Sequence, residues 1–519
     1  MASTALALAS PECFAGTRAQ LSEMITYFGS EEASTMTHSE LEREIEAQGR
    51  ELMRRLLEEH LASRGPGEAV SPVQDAEGVE HEQARLHERT LGSLFGPVKV
   101  QRTGYGGEGM SSLHPLDAEL NLPPERYSHE LRRRAAEEAA KGSFDEAVAS
   151  LSQQSGTKVP KRQLEELVAR AAVDFDAFYE HRSLEPEAAT GSMLVLSFDG
   201  KGVVLRPQDL REATRKAAEA RRPKFTKRLS KGEKRHAKRM ATVAAVYTIA
   251  PYVRRPEQVV RSLAPIHEAD ETKRPRPQSK RVWASLEKTP EQVIEQAFQE
   301  AQRRDPHHEK TWVALVDGNE TQLRILPRMA KKYGVRLRVV LDVIHVTEYL
   351  WGASTAFHDE DDPERQIWVS RRLLEILRGH SSRVAGGIRC SATRRGLSPL
   401  EREGVDKCCN YLLKYARYLR YDEDLSSGAP IATGVIEGAC RHLVKDRMEL
   451  TGARWSLSGA EAVLRLRALR SSGDFEDYWR FHEAREYERH HAARYADGEV
   501  PATKKARSQK PRPDLKIVK

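Results

Sequence analysis

Three carboxylates in this chain stand in settings suited to metal-dependent phosphoryl chemistry. Asp199 ends the apolar run Met193-Leu194-Val195-Leu196-Ser197-Phe198 and is followed by Gly200. Asp317 ends Trp312-Val313-Ala314-Leu315-Val316 and is followed by Gly318. Glu437 lies in Gly434-Val435-Ile436-Glu437-Gly438, at the start of a helical, basic segment. Hard divalent cations take oxygen ligands, and one or two carboxylates per ion suffice. Two Mg²⁺ (or Mn²⁺) ions held by acids on two strand ends and one helix can serve both the attacking and the leaving oxygen of a phosphodiester. The expected chemistry is therefore cutting and joining of nucleic-acid strands. One Asp-Gly after a strand also marks an ordinary turn. The expectation rests on two of them on neighbouring predicted strands, together with the later acid.

Further residues surround this trio. Asp342 ends a third apolar run, Arg336-Leu337-Arg338-Val339-Val340-Leu341, so the spacing leaves either Asp317 or Asp342 as the second acid. His345 follows Asp342 by one helical turn; the two could assist proton transfer or fix a strand–helix junction. Arg441, four residues after Glu437, could orient it or pair with it on a helix. Lys445 and Arg447 lie on the next turns, within reach of phosphate. Arg454-Trp455 offers a cation and an aromatic for stacking on a base, with a core position as the bland alternative for Trp455. Residues 206–239 hold fourteen Lys/Arg against four acids. Within them Arg221, Arg222, Lys224, Lys227, Arg228, Lys231, Lys234 and Arg235 are the expected phosphate contacts.

Strands and helices must position these groups. The apolar runs before Asp199, Asp317 and Asp342, and another over 242–249, predict strands. Helices are predicted over 290–304 and over 320–333, the second closed by Gly334. Strand, helix and strand in alternation predict parallel strands in an α/β sheet. The Pro-rich stretch 265–281 reads as a loop. Towards the N-terminus, residues 1–18 read as disordered, 21–62 as mainly helical and 63–80 as a linker. A short β segment is expected near 95–102, a loop over 104–124, and helices over 126–182. Two of these helices, beginning near Phe144 and Lys161 around Gly156, suit either a helix-turn-helix or a plain helical hairpin. Residues 346–425 read as mostly helical.

Composition sets the bounds. At 519 residues the chain is too long for one core, and 39% hydrophobic residues can build several. A net charge of +7 suits a polyanion partner. No run approaches the roughly 20 apolar residues of a membrane span. Cys13, Cys390, Cys408, Cys409 and Cys440 are odd in number and irregular in spacing, which argues against a disulfide framework and suits a reducing cytosol. The adjacent Cys408 and Cys409 are expected in a helix core. The opening residues lack the positive stretch of a signal peptide. No P-loop, nucleotide fingerprint or protease arrangement is evident.

These residues also carry a family likeness. The matching stretches are Ser197-Phe198-Asp199-Gly200-Lys201-Gly202-Val203, Arg228-Leu229-Ser230-Lys231-Gly232-Glu233-Lys234-Arg235, Val316-Asp317-Gly318 and Leu341-Asp342-Val343-Ile344-His345. Most specific is the stretch from Gly434 through Glu437, Cys440 and Arg441 to Arg447. Over residues 40–480 the chain resembles bacterial insertion-sequence DDE transposases of the Kra type, related to Mutator-like transposases. The resemblance implies an α/β ribonuclease-H-like catalytic domain over 190–345 and 430–480, with a helical insertion over 346–429. It implies Asp199, Asp317 and Glu437 as ligands of two metal ions. Asp342-x-x-His345 matches a signature that follows the second acid in such enzymes, so the likeness gives Asp317 the catalytic role and makes Asp342, His345 and Arg441 supporting. Ahead of this domain it leaves a helical region and linker over 1–80, a small β segment and loop over 81–125, and a mostly helical DNA-binding region over 126–185. A disordered basic tail is expected over 498–519. The implied activity is binding of terminal inverted repeats in double-stranded DNA, cleavage, and transfer of the 3′ ends to target DNA by a homodimer or higher oligomer in the bacterial cytoplasm, at the nucleoid. The rivals are a nuclease that cuts without joining and a domesticated DNA-binding protein with an idle triad. One departure stands out: residues 102–115 contain no Cys, so the zinc module frequent in such enzymes is not expected.

Overall fold

Contacts divide the chain into two units, Met1–Tyr179 with Glu476–Lys519, and Glu180–Phe475. The structure, a computed structural model, describes residues 11–107, 109–182, 191–220, 237–263, 274–450 and 452–504. The basic residues Arg221, Arg222, Lys224, Lys227, Arg228, Lys231, Lys234 and Arg235 lie outside the described residues, as does the tail from residue 505. No helix among the described residues is long and apolar enough to cross a membrane.

The first unit begins with helices α1 (Ala15–Phe28) and α2 (His38–Ser63). Helix α1 starts inside the stretch expected to be disordered, because Glu59 of α2 accepts the backbone N–H groups of Gly16 and Thr17 at 2.9 and 3.1 Å. Such free N–H groups at a helix start need an acceptor, and this one comes from far along the chain. Strands β1 (Gln83–Ser93) and β2 (Gly96–Gly106) form an antiparallel hairpin. Only its second strand was legible; β1 reads Gln-Ala-Arg-Leu-His-Glu-Arg and is exposed along its first half. Helices α3 (His129–Lys141), α4 (Phe144–Gln154) and α5 (Lys161–Ala171) follow. Ser143 and Glu146 form the capping box that starts α4. The link from α4 to α5 is tied to the hairpin by Thr157 Oγ1, which donates to the Ser93 carbonyl at 2.7 Å. A late helix, Phe475–His490, belongs to this unit almost entirely and packs on it through Tyr478, whose hydroxyl donates to the Ala171 carbonyl at 2.7 Å.

The second unit is built on a mixed five-stranded sheet. Its strands are β3 (Met193–Val204), β4 (Lys238–Ile249), β5 (Gln278–Ser285), β6 (Thr311–Val316) and β7 (Leu337–Leu341), in the order β5-β4-β3-β6-β7. Strands β6 and β7 run parallel to β3, and β4 is antiparallel to both its neighbours. Residues 193–198 and 312–316 are buried without alternation, as strands covered on both faces must be. Helix α6 (Pro290–Arg304) leads from β5 to β6, and α7 (Glu320–Tyr333) from β6 to β7. Helix α7 ends where expected, on Gly334 in the left-handed conformation at φ 65°. Strand β5 overturns part of the loop expected over 265–281. Lys280 and Arg281 hid it; Arg281 is 2% exposed because Glu300 on α6 accepts its guanidinium at 2.6 Å.

Beyond β7 come α8 (Val343–Ser354), α9 (Pro363–Leu377), α10 (Ser381–Arg394) and α11 (Glu403–Lys414). Cys408 and Cys409 are fully buried on α11, as helix-core residues. The chain then returns to the sheet in α12 (Gly434–Ala439), a π-helical turn (Cys440–Lys445) and α13 (Leu457–Ser472). Helix α13 seals β5: Glu461 accepts from Ser285 Oγ and Leu286 N, both at 2.7 Å.

Candidate active site

The sheet register brings the acids into one row. Phe198 is level with Val316, and Val316 with Leu341. Asp199, Asp317 and Asp342 each follow directly, so they stand level across three neighbouring parallel strands, Asp199 within β3, which runs on to Val204, and the other two just past the ends of β6 and β7. Adjacent strands lie about 4.8 Å apart, which sets the spacing of the row. Each acid is held by backbone. Gly200 N donates to Asp199 Oδ1 at 2.6 Å, Asn319 N to Asp317 Oδ1 at 2.9 Å, and Ile344 N to Asp342 Oδ1 at 2.9 Å. Asp342 is thereby the cap of α8, and Asn319 caps α7.

Glu437 is brought to this row by two side chains that flank it. Thr433 Oγ1 lies 3.3 Å from Glu437 Oε1 and also donates to Asp342 Oδ2. Cys440 Sγ donates to Asp199 Oδ2 at 3.0 Å. The segment 433–440 therefore links Asp342, after β7, to Asp199 on β3. Burial, and next the charge of Asp342, push the Glu437 carboxyl above its ordinary value; the Asp199 charge adds to this. Burial also pushes Asp342 up, against the opposing hydrogen bond from Thr433. Hard oxygen donors of like charge gathered at one place are a donor set that fits a divalent cation.

Among the described residues, the trio of metal-type ligands with atoms all within 4.8 Å of one another is a different one, Asp174, His482 and Glu486 in the first unit. It already has its cations. Arg132 donates to Glu486 at 2.6 Å and lies 3.1 Å from His482 Nε2, and Arg489 holds Asp174 at 2.5 Å. Guanidiniums fill the place a metal would need.

Asp317 and Asp342 differ in access. Asp342 is 4% exposed and spends its oxygens on the α8 cap and on Thr433, whereas Asp317 is half-buried. The turn at Asp317 is fixed from the helical region: the Tyr411 hydroxyl on α11 donates to the Asp317 carbonyl at 3.2 Å. A Cβ on Gly318, whose φ is 98°, would come 3.1 Å from the Tyr411 hydroxyl oxygen. Tyr411 stacks on Tyr349 at 4.2 Å between centroids, and His345 meets both rings edge-on. His345 does not join Asp342 in a hydrogen bond; its Nδ1 lies 3.1 Å from Glu348.

Two expected DNA contacts are buried. Trp455 is 6% exposed, with its indole N–H on the Met448 carbonyl at 3.2 Å. Arg447 is 2% exposed and lies over that ring at 4.7 Å. Here neither is open to stack on a base or reach a phosphate, because residues 204–206 pair with Trp455 through backbone hydrogen bonds and pull it inward. Arg441 is exposed and lies 3.8 Å from Asp446, while Glu437 turns to Thr433; the π-helical turn that begins at Cys440 breaks the four-residue phase assumed for that pair. Lys445 and Arg454 are exposed.

Thr433, Cys440, Tyr411 and Tyr349 went unnoticed as site residues. Thr433 had a signal, since it precedes a helix start and sits four residues before Glu437. Cys440 lay inside the most specific matching stretch. Tyr349 and Tyr411 gave none, because only tertiary folding brings the helices after β7 over the sheet.

No family model matches the chain, and no curated protein matches it. Among solved structures it is similar to the "Drosophila P element transposase strand transfer complex" at 8% identity and a TM-score of 0.24, over 66% of this chain and 79% of that one. A likeness of that size carries no argument for fold or activity.

Proposed function

We propose that the chain is a DNA transposase of the DDE type, with a ribonuclease-H-like catalytic domain and Asp199, Asp317 and Glu437 as ligands of two divalent cations. The observation that carries the reading is the register row of acids with Glu437 laid over it. The sheet order β5-β4-β3-β6-β7, with Asp199 within β3 standing level with Asp317 just past the end of β6, supports the domain that the sequence resemblance implies. Two cations bound there would supply charge stabilisation to the attacking and leaving oxygens of a phosphodiester. The remaining work is positioning. Thr433 holds Glu437 against the row, Cys440 orients Asp199, and Tyr411 fixes the Asp317 turn. Asp342 is a positioning residue, since its carboxylate caps α8 and anchors Thr433. The exposed Lys445, Arg454 and Arg441, together with the basic residues of 221–235, are the DNA contacts of this reading.

The test is strand transfer. A duplex carrying the sequence that flanks the coding region, pre-cut to leave a 3′ hydroxyl, is incubated with the chain, Mg²⁺ and a plasmid. Joined product supports the reading. Cutting of uncut duplex without joining of the pre-cut one would leave a nuclease instead.

A further inference from the structure

The first unit, which does not contain the acid row, holds a cleft of about 660 Å³ between the hairpin and the residues that follow the late helix. Four guanidiniums line it: Arg89, Arg102, Arg126 and Arg494. The facing carboxylates are Asp117 and Glu125. Glu125 is already engaged by Arg132 and Arg170. Asp117 alone then serves the cleft, shared by Arg102 and by Arg89, the latter at 3.7 Å. Arg494 gives its Nη2 to neutral acceptors, Ser111 Oγ at 3.1 Å and the Ser112 carbonyl at 3.0 Å. Arg102 Nε is buried without an acceptor among the described residues. Burial, with Arg89 and Arg494 nearby, pushes the Arg102 guanidinium down to about 10. Burial and Arg102 also push His114 down to about 3, so it adds no charge at neutral pH.

A walled cleft with more guanidinium than carboxylate is stabilised by an anion. Arginine forks match the oxygens of phosphate two at a time, and a phosphate can satisfy several forks at once. We propose that this cleft binds phosphate, gripped by Arg89, Arg102, Arg126 and Arg494, either on a DNA backbone or as a free phosphate compound. The proposal holds whether or not the acid row cuts DNA.

The full chain carrying Asp317→Asn, so that cleavage plays no part, is compared with the same chain also carrying Arg126→Gln and Arg494→Gln. A control carries Arg485→Gln, at an exposed side chain on the late helix Phe475–His490. Equilibrium dialysis reads inorganic pyrophosphate; fluorescence anisotropy of a random-sequence duplex reads the dependence of DNA affinity on salt. The double substitution is expected to cost tenfold or more in pyrophosphate affinity, which identifies a free compound, or to lower the salt slope of duplex binding by about 2, which identifies backbone phosphates. No change in either measurement, or an equal change in the control, overturns the proposal. If the double variant melts early, Arg126→Gln alone, at an exposed position, gives the same reading with a salt-slope change of about 1.

Discussion

Asp342 and Glu437 share one hydroxyl, Thr433 Oγ1, and that sharing ties the chemistry of the acid row to pH. The Glu437 carboxyl is held above its ordinary 4.5 by burial and by like charge. Its protonated form cannot hold a cation. Metal-dependent cleavage is therefore expected to fall as pH drops, with a midpoint above 4.5 when Mg²⁺ is limiting. Raising Mg²⁺ moves that midpoint down, because cation and proton compete for the same oxygens. Cleavage rates across pH at two Mg²⁺ concentrations check this; a midpoint insensitive to Mg²⁺ would remove Glu437 from the ligand set. The acids themselves were legible because each ends an apolar run or sits in a distinctive turn. Trp455 stayed open between base stacking and the core because an Arg-Trp pair reads the same whether it faces solvent or core; the backbone pairing with residues 204–206 that decides its burial is non-local.

At the scale of elements, the strands that carry the acids could be read from unbroken apolar runs, while β5 could not. Its Lys280 and Arg281 look like loop until Glu300 on α6 is seen to neutralise Arg281. Burial alone would raise the Glu300 carboxyl, but Arg281 and Arg304 hold it down to about 2. A folded value below the ordinary 4.5 means that this stabilisation is complete above about pH 4.5 and is lost as pH falls toward 2. Glu300→Gln should take from the buried Arg281 its carboxylate and cost about 3 kcal/mol. Chemical denaturation at neutral pH and again near pH 3 reads both effects: the variant's deficit should shrink in acid. Helix α11 carries a separate test. Tyr411→Phe removes the hydroxyl that holds the Asp317 carbonyl, a hydrogen bond worth about 1 kcal/mol. Single-turnover cleavage should slow about fivefold with DNA affinity unchanged, since 1.4 kcal/mol is a factor of ten; loss of affinity instead would make Tyr411 a DNA contact.

The molecule as a whole is two units, and the first unites segments far apart in sequence. Arg132 is fully buried there, bonded to Glu125, Glu486 and His482. No local pattern announces that network, because its members come from residue 125 to residue 489. Arg132→Met should cost the first unit about 3 kcal/mol by taking the buried guanidinium from Glu125 and Glu486, which keep only the more exposed Arg170 and Arg489. Hydrogen exchange in the helix Phe475–His490 should rise accordingly, and unchanged protection there would mean that the network adds no net stability. The central claim, that Asp199, Asp317 and Glu437 form a metal site that cuts DNA, is tested most directly by cleavage of the flanking duplex in Mg²⁺ by the unsubstituted chain and by Asp317→Asn and Asp342→Asn variants. Cleavage is predicted to require Mg²⁺, to be abolished by Asp317→Asn with DNA binding retained, and to be weakened less by Asp342→Asn. Cleavage that survives Asp317→Asn, or a loss with Asp342→Asn as great or greater, would contradict the assignment.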